Sequence, residues 1–200
     1  MWGLGFSMVA VVIGRMGTSF VAANSIYTVI NQMVSVMIFG VANAALTIVG
    51  NTIGTGDYEL AKQRSITLFI ISILVGFAAS GITLLSSPLI ISFYHFSTET
   101  IQIAFSINRV GALIVFFQSV ACVCMAGILR SGGDAKFVLV CETLFLWGLA
   151  VPLGFLTGLL LKWPAWAVFI CLKCDEIFKT IVATFRVFRF RWLRDITIRD

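Results

Sequence analysis

The residues of this 200-residue sequence that could do chemistry are ionisable side chains inside long apolar runs. Glu142 lies in one such run, and Asp175, Glu176 and Lys179 lie close together in another. A charge at the centre of a membrane helix costs roughly 2.5–3.5 kcal/mol on insertion scales, so such residues usually face an interior or a cavity on an ion pathway. We therefore take these four residues as candidate coupling or gating charges.

The spacing of these charges predicts how they pair. Lys179 follows Glu176 by three residues and Asp175 by four, so either carboxylate can meet it on one helix face. If the two runs are antiparallel helices, Glu142 and Lys179 lie at similar depth, and we predict that Glu142 can reach Lys179 across them. Such a pair either stabilises the bundle or takes part in cation coupling, and the sequence leaves both open. Lys173 could pair with Glu176 or extend towards the interface, and we assign it no role.

Uncharged polar residues form a second set of candidates. On the second apolar run they recur at about helical spacing along one side, and a weaker candidate lies on the fourth run. Those on the second run either line a central cavity or form hydrogen bonds between helices, and the one on the fourth run either lines the cavity or takes part in ordinary packing; these alternatives remain open. The candidate cavity-lining residues are Asn24, Tyr27, Asn31, Ser35 and Gln118.

Enzymatic, metal and nucleic-acid chemistry find little support in the sequence. His95 is the single histidine, and the Cys171-x-x-Cys174 spacing has no second pair to complete a metal site. No phosphate-binding Gly-Lys-Ser/Thr motif is present. The basic residues that follow the last apolar run favour anchoring to anionic lipid over binding of nucleic acid. We expect no catalytic residues, no metal site and no nucleic-acid partner.

The composition indicates that lipid is the solvent for most of the chain. The sequence is 60% hydrophobic and 12% charged, whereas soluble domains are about 45–50% apolar and about 25% charged. Apolar runs of this length must be helices, because backbone groups in hydrocarbon have to be paired internally. We predict an all-α, polytopic membrane bundle of about six transmembrane helices in a single lobe over residues 1–194. The predicted spans are 1–14 (too short to cross), 21–53, 66–93, 108–129, 137–161 and 165–187, with a tail over 195–200.

The distribution of basic residues predicts the orientation. Nine of them flank one side of the predicted bundle and three flank the other, which places the richer side and the C-terminus in the cytoplasm of a multi-pass plasma (cell inner) membrane protein. Three tryptophans lie near the predicted interfaces, as aromatic belts do: Trp163, Trp166 and Trp192. The two sets of basic residues are Lys62, Arg64, Arg130, Lys136, Arg186, Arg189, Arg191, Arg194 and Arg199, against Arg15, Arg109 and Lys162.

Two glycine-rich loops connect the predicted spans on the cytoplasmic side. Each ends in an aspartate, Asp57 or Asp134, and we expect both to cap the helix that follows. The glycines are expected to supply the backbone angles of tight turns, and Gly50-x-x-x-Gly54 could also permit close helix packing. The loop motif residues are Gly50, Gly54, Gly56 and Asp57 in the first loop, and Arg130, Gly132, Gly133 and Asp134 in the second.

Together with three further segments, these loops resemble the multidrug and toxic compound extrusion (MATE) transporters in family order. The segments are residues 15–18 with 22–26, residues 50–57 with 61–62, residues 127–136, Trp147 with 151–153, and Glu176-x-x-Lys179 with Arg186, Arg189 and Trp192. The resemblance implies a twelve-helix exporter, of which this chain is the C-terminal lobe, about helices seven to twelve, with the seventh truncated.

The same resemblance implies a function. It is that of a secondary active antiporter, which exports drugs or other small organic, often cationic, compounds in exchange for protons or sodium ions and has no other cofactor. Membrane lipid and a missing N-terminal lobe would be its partners. A lipid or oligosaccharide-lipid flippase of the related superfamily, or a non-transporting membrane subunit, is the alternative.

Overall fold

The computed structural model describes residues 2–93, 96–161, 163–190 and 192–193. Within them all regular secondary structure is helical, which confirms the predicted all-α membrane bundle. The six helices are α1 (Trp2–Arg15), α2 (Thr18–Gly54), α3 (Tyr58–Phe93), α4 (Thr98–Leu129), α5 (Ala135–Leu160) and α6 (Ala165–Phe188).

Four of these helices, α2 to α5, are long and apolar enough to cross a membrane. Helix α6 has 24 residues but carries four charges between Lys173 and Lys179, so it lacks the apolar composition of the other four. Helix α1 has 14 residues, about 21 Å at 1.5 Å per residue, which is shorter than a hydrocarbon core of about 30 Å.

The helices extend beyond the apolar runs from which they were predicted. Helix α3 begins at Tyr58 instead of residue 66, because its polar first two turns continue the helix outside the apolar segment. Helix α4 begins at Thr98, where Ser97 caps it by accepting a hydrogen bond from the backbone N–H of Thr100 at 3.4 Å. The predicted tail over 195–200 lies outside the described residues.

Helix α4 is the centre of the bundle. Two thirds of its most apolar segment (67%) is buried inside the protein, against 28% for each of α2, α3 and α5. Its last part, Val123–Leu129, is a π-helical turn that lies directly against α2. A Cβ atom added to Gly127 would lie 2.8 Å from the Cβ of Ala45 and 2.9 Å from the carbonyl oxygen of Ala42. This close contact fixes α4 beside α2, with one side of α4 turned towards α5 and α6.

Candidate functional site

A cavity of about 470 Å³ lies among α2, α4, α5 and α6. Its wall combines charged, amide and apolar side chains, which is an unusual mixture for helices of this apolarity. It is lined by Asn31, Phe39, Gln118, Ala121, Cys122, Met125, Ala126, Arg130, Glu142, Lys173, Glu176 and Lys179. The volume falls within the range of about 300–1,000 Å³ that is usual for small-molecule sites.

A buried charge cluster on α6 forms one wall of the cavity. The Nζ atom of Lys179 donates a hydrogen bond to Oδ2 of Asp175 at 2.6 Å, and it lies 3.6 Å from Oε1 of Glu176. Asp175 and Lys179 are both buried. Both pairs predicted from the spacing are therefore present, and one ammonium group serves two carboxylates.

The predicted pair between Glu142 and Lys179 is wrong. Oε1 of Glu142 instead lies 3.7 Å from Nη2 of Arg130, which stands just after the end of α4. Equal depth did not decide the pairing, because Lys179 is already bound by carboxylates of its own helix. The turn after α4 folds α5 back, so that Glu142 lies beside Arg130. Glu142 and Lys179 do share the cavity wall.

The predicted cavity-lining residues divide into two groups. Asn31 and Gln118 line the cavity, and the side-chain oxygen of Asn31 is buried with no hydrogen-bond partner in the described part of the chain. Tyr27 lies instead in the apolar core, in edge contact with Phe169 at 4.8 Å, and Ser35 is buried. Asn24, which completes this second group, is half-buried.

Asn24, Tyr27 and Ser35 are thus absent from the wall of this cavity. The side of α2 on which Tyr27 lies packs against α4, where Gly111 leaves room for the tyrosine ring. Helical spacing correctly placed these residues on one side of α2. It could not show where along that side the contact between α2 and α4 ends and the cavity begins.

The first glycine loop behaves largely as predicted. Oδ1 of Asp57 accepts a hydrogen bond from the N–H of Leu60 at 2.9 Å and so caps α3, and Gly56 has φ +81°. The close-packing role of Gly50 and Gly54 is wrong: a Cβ at Gly50 would make only an ordinary contact, and one at Gly54 would meet no described atom within 4 Å.

The second loop is held differently from the prediction. Asp134 does not cap α5; its Oδ2 atom accepts a hydrogen bond from Nε of Arg186, near the end of α6, at 2.8 Å, and it forms an ion pair with Nη2 of the same guanidinium group, also at 2.8 Å. Gly133 has φ +83°, which favours glycine. The guanidinium group of Arg186 also lies 4.8 Å from the centre of the Phe137 ring.

Trp192 completes this arrangement. It is fully buried, and its Nε1 atom donates a hydrogen bond to the carbonyl of Val187 at 2.9 Å. Its ring occupies the space that a side chain at Gly132 would need. Trp192 is therefore covered by protein, whereas Trp163 and Trp166 are about half exposed at the opposite end of the bundle, and the proximity of all three to the interfaces stays a prediction.

Two functional features of the structure were missed from the sequence. Lys173 lines the cavity, although it received no role, and Arg130 reaches the cavity from a loop motif. For Lys173, the only signal that the sequence offers is its position within a charged segment of an apolar run. No local pattern reveals the contact between Asp134 and Arg186, which are 52 residues apart in sequence.

Comparison with known proteins identifies relatives that agree with this architecture. A family model described as MatE matches residues 1–156. A probable multidrug resistance protein NorM from Xylella fastidiosa is 25% identical over 158 residues, which are 79% of this chain and 34% of that protein. The human multidrug and toxin extrusion protein 1 is 26% identical over 141 residues, 70% of this chain and 25% of that protein.

A solved structure shows the same fold. It is the outward-facing conformation of a multidrug resistance MATE family transporter, which superposes with a TM-score of 0.86 at 18% identity over 98% of this chain and 43% of that one. The chain thus spans about a third or less of the two curated relatives and less than half of the solved transporter.

Proposed function

Because the chain belongs to the MATE family of multi-pass membrane transporters, we propose that it forms one lobe of a secondary active antiporter that exports small organic compounds. The names of the relatives as multidrug resistance and extrusion proteins support this class of substrate. The observation that carries the proposal is the cavity of about 470 Å³, lined by five charged residues, among apolar helices. Charges so placed mark substrate or ion pathways.

Inward movement of protons or sodium ions drives export in this proposal. Glu142 is the residue best suited to respond to the coupling cation, because its carboxylate lines the cavity and its partner Arg130 lies at the long distance of 3.7 Å. Asp175 and Glu176 are bound to Lys179 and are better suited to hold the wall of the cavity.

The lobe works with a second lobe and with lipid. The match to 43% of a solved transporter supports a partner lobe that would close the cavity, and we propose that this chain is the C-terminal one. We propose that the bundle spans the cell inner membrane. The excess of basic residues on one side supports an orientation in which both glycine loops and the C-terminus face the cytoplasm.

The test measures efflux by the protein at its full natural length, purified and reconstituted in liposomes. A pH gradient and a sodium gradient are imposed separately, and export of a fluorescent organic cation is followed. We expect one gradient to drive export in the wild type and the Glu142→Gln variant to lose most of that dependence. Glu59→Gln is the matched control, because Glu59 is highly exposed at the start of α3 and, among the described residues, its one ion-pair partner is Lys62.

If Glu142→Gln exports the dye like the wild type, this carboxylate has no coupling role, but the proposed class of transporter is not contradicted. Export that follows neither gradient would contradict antiport itself.

A further inference from the structure

Buried polar atoms without partners follow one another through the core between α2, α3 and α4. Five buried side-chain atoms have no hydrogen-bond partner among the described residues, and four of them lie in this region. These four, which we call the polar line, are Oη of Tyr27, Oδ1 of Asn31, Oγ of Ser87 and Oδ1 of Asn108. We propose that the polar line binds a chain of water molecules that admits protons to the charged cavity. The proposal rests on the export function above and specifies its coupling cation.

Contacts between the antiparallel helices α3 and α4 place two of these atoms beside each other. The hydroxyl of Ser119 donates a hydrogen bond to the carbonyl oxygen of Ser72 at 3.1 Å, which fixes the register of the two helices. Ser87 and Ala104 are each fifteen residues from that contact, so they lie opposite one another. The Nδ2 atom of Asn108 donates to the carbonyl oxygen of Ala104 at 2.8 Å. Ser87 and Asn108 therefore lie at neighbouring levels of the bundle.

The contact between α2 and α4 places the other two atoms. The ring of Tyr27 occupies the space that a side chain at Gly111 would need. Gly111 lies about one turn after Asn108 on α4, and Asn31 lies one turn after Tyr27 on α2. Successive polar atoms are thus about 5.4 Å apart along the helix axes. A water molecule joins groups at about that separation, because it makes two hydrogen bonds of about 2.8 Å each.

The polar line leads from one end of the bundle to the cavity. At the beginning of α4, the hydroxyl oxygen of exposed Ser97 lies 3.0 Å from that of buried Thr100, which is one turn before Ala104. At the other end, Asn31 lines the cavity. An unpaired polar atom in an apolar core is costly, and buried water is the usual partner of such atoms.

The chemistry of the polar line favours a proton over a sodium ion. Its atoms belong to hydroxyl and amide groups, so a metal cation would meet no negative ligand there. A hydrogen-bonded chain of water passes a proton from oxygen to oxygen, and one O–H bond forms for each that breaks. The cluster at its end is electrically balanced, so a proton that binds a carboxylate there gives it a net positive charge. Its charged residues are Glu142, Asp175 and Glu176 with Arg130, Lys173 and Lys179.

The first experiment detects the water in the wild type. The full-length protein in detergent is exposed to a short X-ray pulse, which converts bound water to hydroxyl radicals, and mass spectrometry identifies the oxidised residues. We expect Tyr27 to be oxidised severalfold faster than Trp192, which is also buried but whose N–H is bonded to the carbonyl of Val187. Asn108→Leu should remove that difference. Oxidation of wild-type Tyr27 no faster than that of Trp192 would overturn the proposal.

The second experiment removes one hydroxyl group of the polar line. A hydroxyl bonded to water stabilises the protein, so Tyr27→Phe should unfold at a lower temperature, whereas loss of a hydroxyl without a partner would raise that temperature. In liposomes, we expect export driven by a pH gradient to be about tenfold slower in Tyr27→Phe, with the affinity for the exported dye unchanged. Tyr58→Phe, the same substitution in the first turn of α3, should alter neither property.

Three results of the second experiment would overturn the proton path. They are a higher unfolding temperature of Tyr27→Phe, export by this variant at the wild-type rate under a pH gradient, and wild-type export driven by a sodium gradient alone. Export driven by sodium ions would still agree with antiport, whereas export that follows neither gradient contradicts antiport itself. The two proposals therefore fail separately.

Discussion

Lys179 is the residue on which the buried charges of α6 depend. Its ammonium group contacts two carboxylates at 2.6 Å and 3.6 Å, and the nearer one, Asp175, is almost fully buried. We expect Lys179→Met to destabilise the protein by about 3–5 kcal/mol, because it leaves a buried carboxylate without a counter-charge. Thermal unfolding in detergent, followed by circular dichroism, measures the loss.

The double variant Asp175→Asn with Lys179→Met provides the control for that prediction. It removes both charges of the short pair, so it should recover a large part of the lost stability. If the double variant unfolds at no higher temperature than the single variant, the loss of stability reflects the packing of the lysine side chain rather than an uncompensated charge.

Sequence predicts ion pairs well within one helix and poorly between helices. Spacings of three and four residues fix the geometry of Lys179 with its two carboxylates, since both lie on one helix face. The partner of Glu142 depends on the loop between α4 and α5, which returns α5 to the cavity so that Glu142 lies beside Arg130. Depth along two helices carries no information about that return, and so the predicted partner was wrong.

At the scale of the element, Gly127 determines how closely α4 approaches α2. A methyl group there would lie 2.9 Å from a backbone oxygen of Ala42, which cannot move without shifting the helix. We expect Gly127→Ala to cost about 1–3 kcal/mol through overpacking, even though alanine is the better helix former. Chemical unfolding of the purified protein measures the change.

Gly40→Ala is the matched control for this prediction. Gly40 is exposed on α2, and a Cβ there would meet no described atom within 4 Å. The substitution should stabilise by about 0.5–1 kcal/mol, because alanine loses less entropy in a helix. A stabilising Gly127→Ala would show that α2 and α4 are free to separate.

Apolar runs predicted the helices but not their internal irregularities. The chemical requirement for paired backbone groups in lipid makes a run of about 20 apolar residues a helix whatever its tertiary surroundings. The π-helical turns at Val123–Leu129, Leu146–Ala150 and Leu156–Leu160 depend on packing, and sequence patterns of period 3.6 do not register them. Pro152 lies between the last two turns, and its missing N–H removes one bond of the regular helix.

At the scale of the whole molecule, the second glycine loop is bound to the end of α6 and to Trp192, which follows it. Asp134 binds Arg186 across 52 residues, and Trp192 fills the space left by Gly132. The sequence indicated the turn, because its two glycines and the aspartate have local consequences. It could not indicate that the final tryptophan folds back, since an aromatic residue after a membrane helix is typical of an interface as well.

This fastening predicts how the loop responds to protease. In Asp134→Ala the loop loses a charge-assisted contact with Arg186, a kind of bond that contributes about 1.5–3 kcal/mol. Opening of the loop should become about tenfold to a hundredfold more frequent, and tryptic cleavage after Lys136 should accelerate accordingly. Mass spectrometry of the fragments from full-length protein in detergent measures the rate at that site. Asp57→Ala, which removes only the cap of α3, should leave it unchanged. Equal rates in Asp134→Ala and the wild type would mean that the buried ring of Trp192 alone holds the loop against α6.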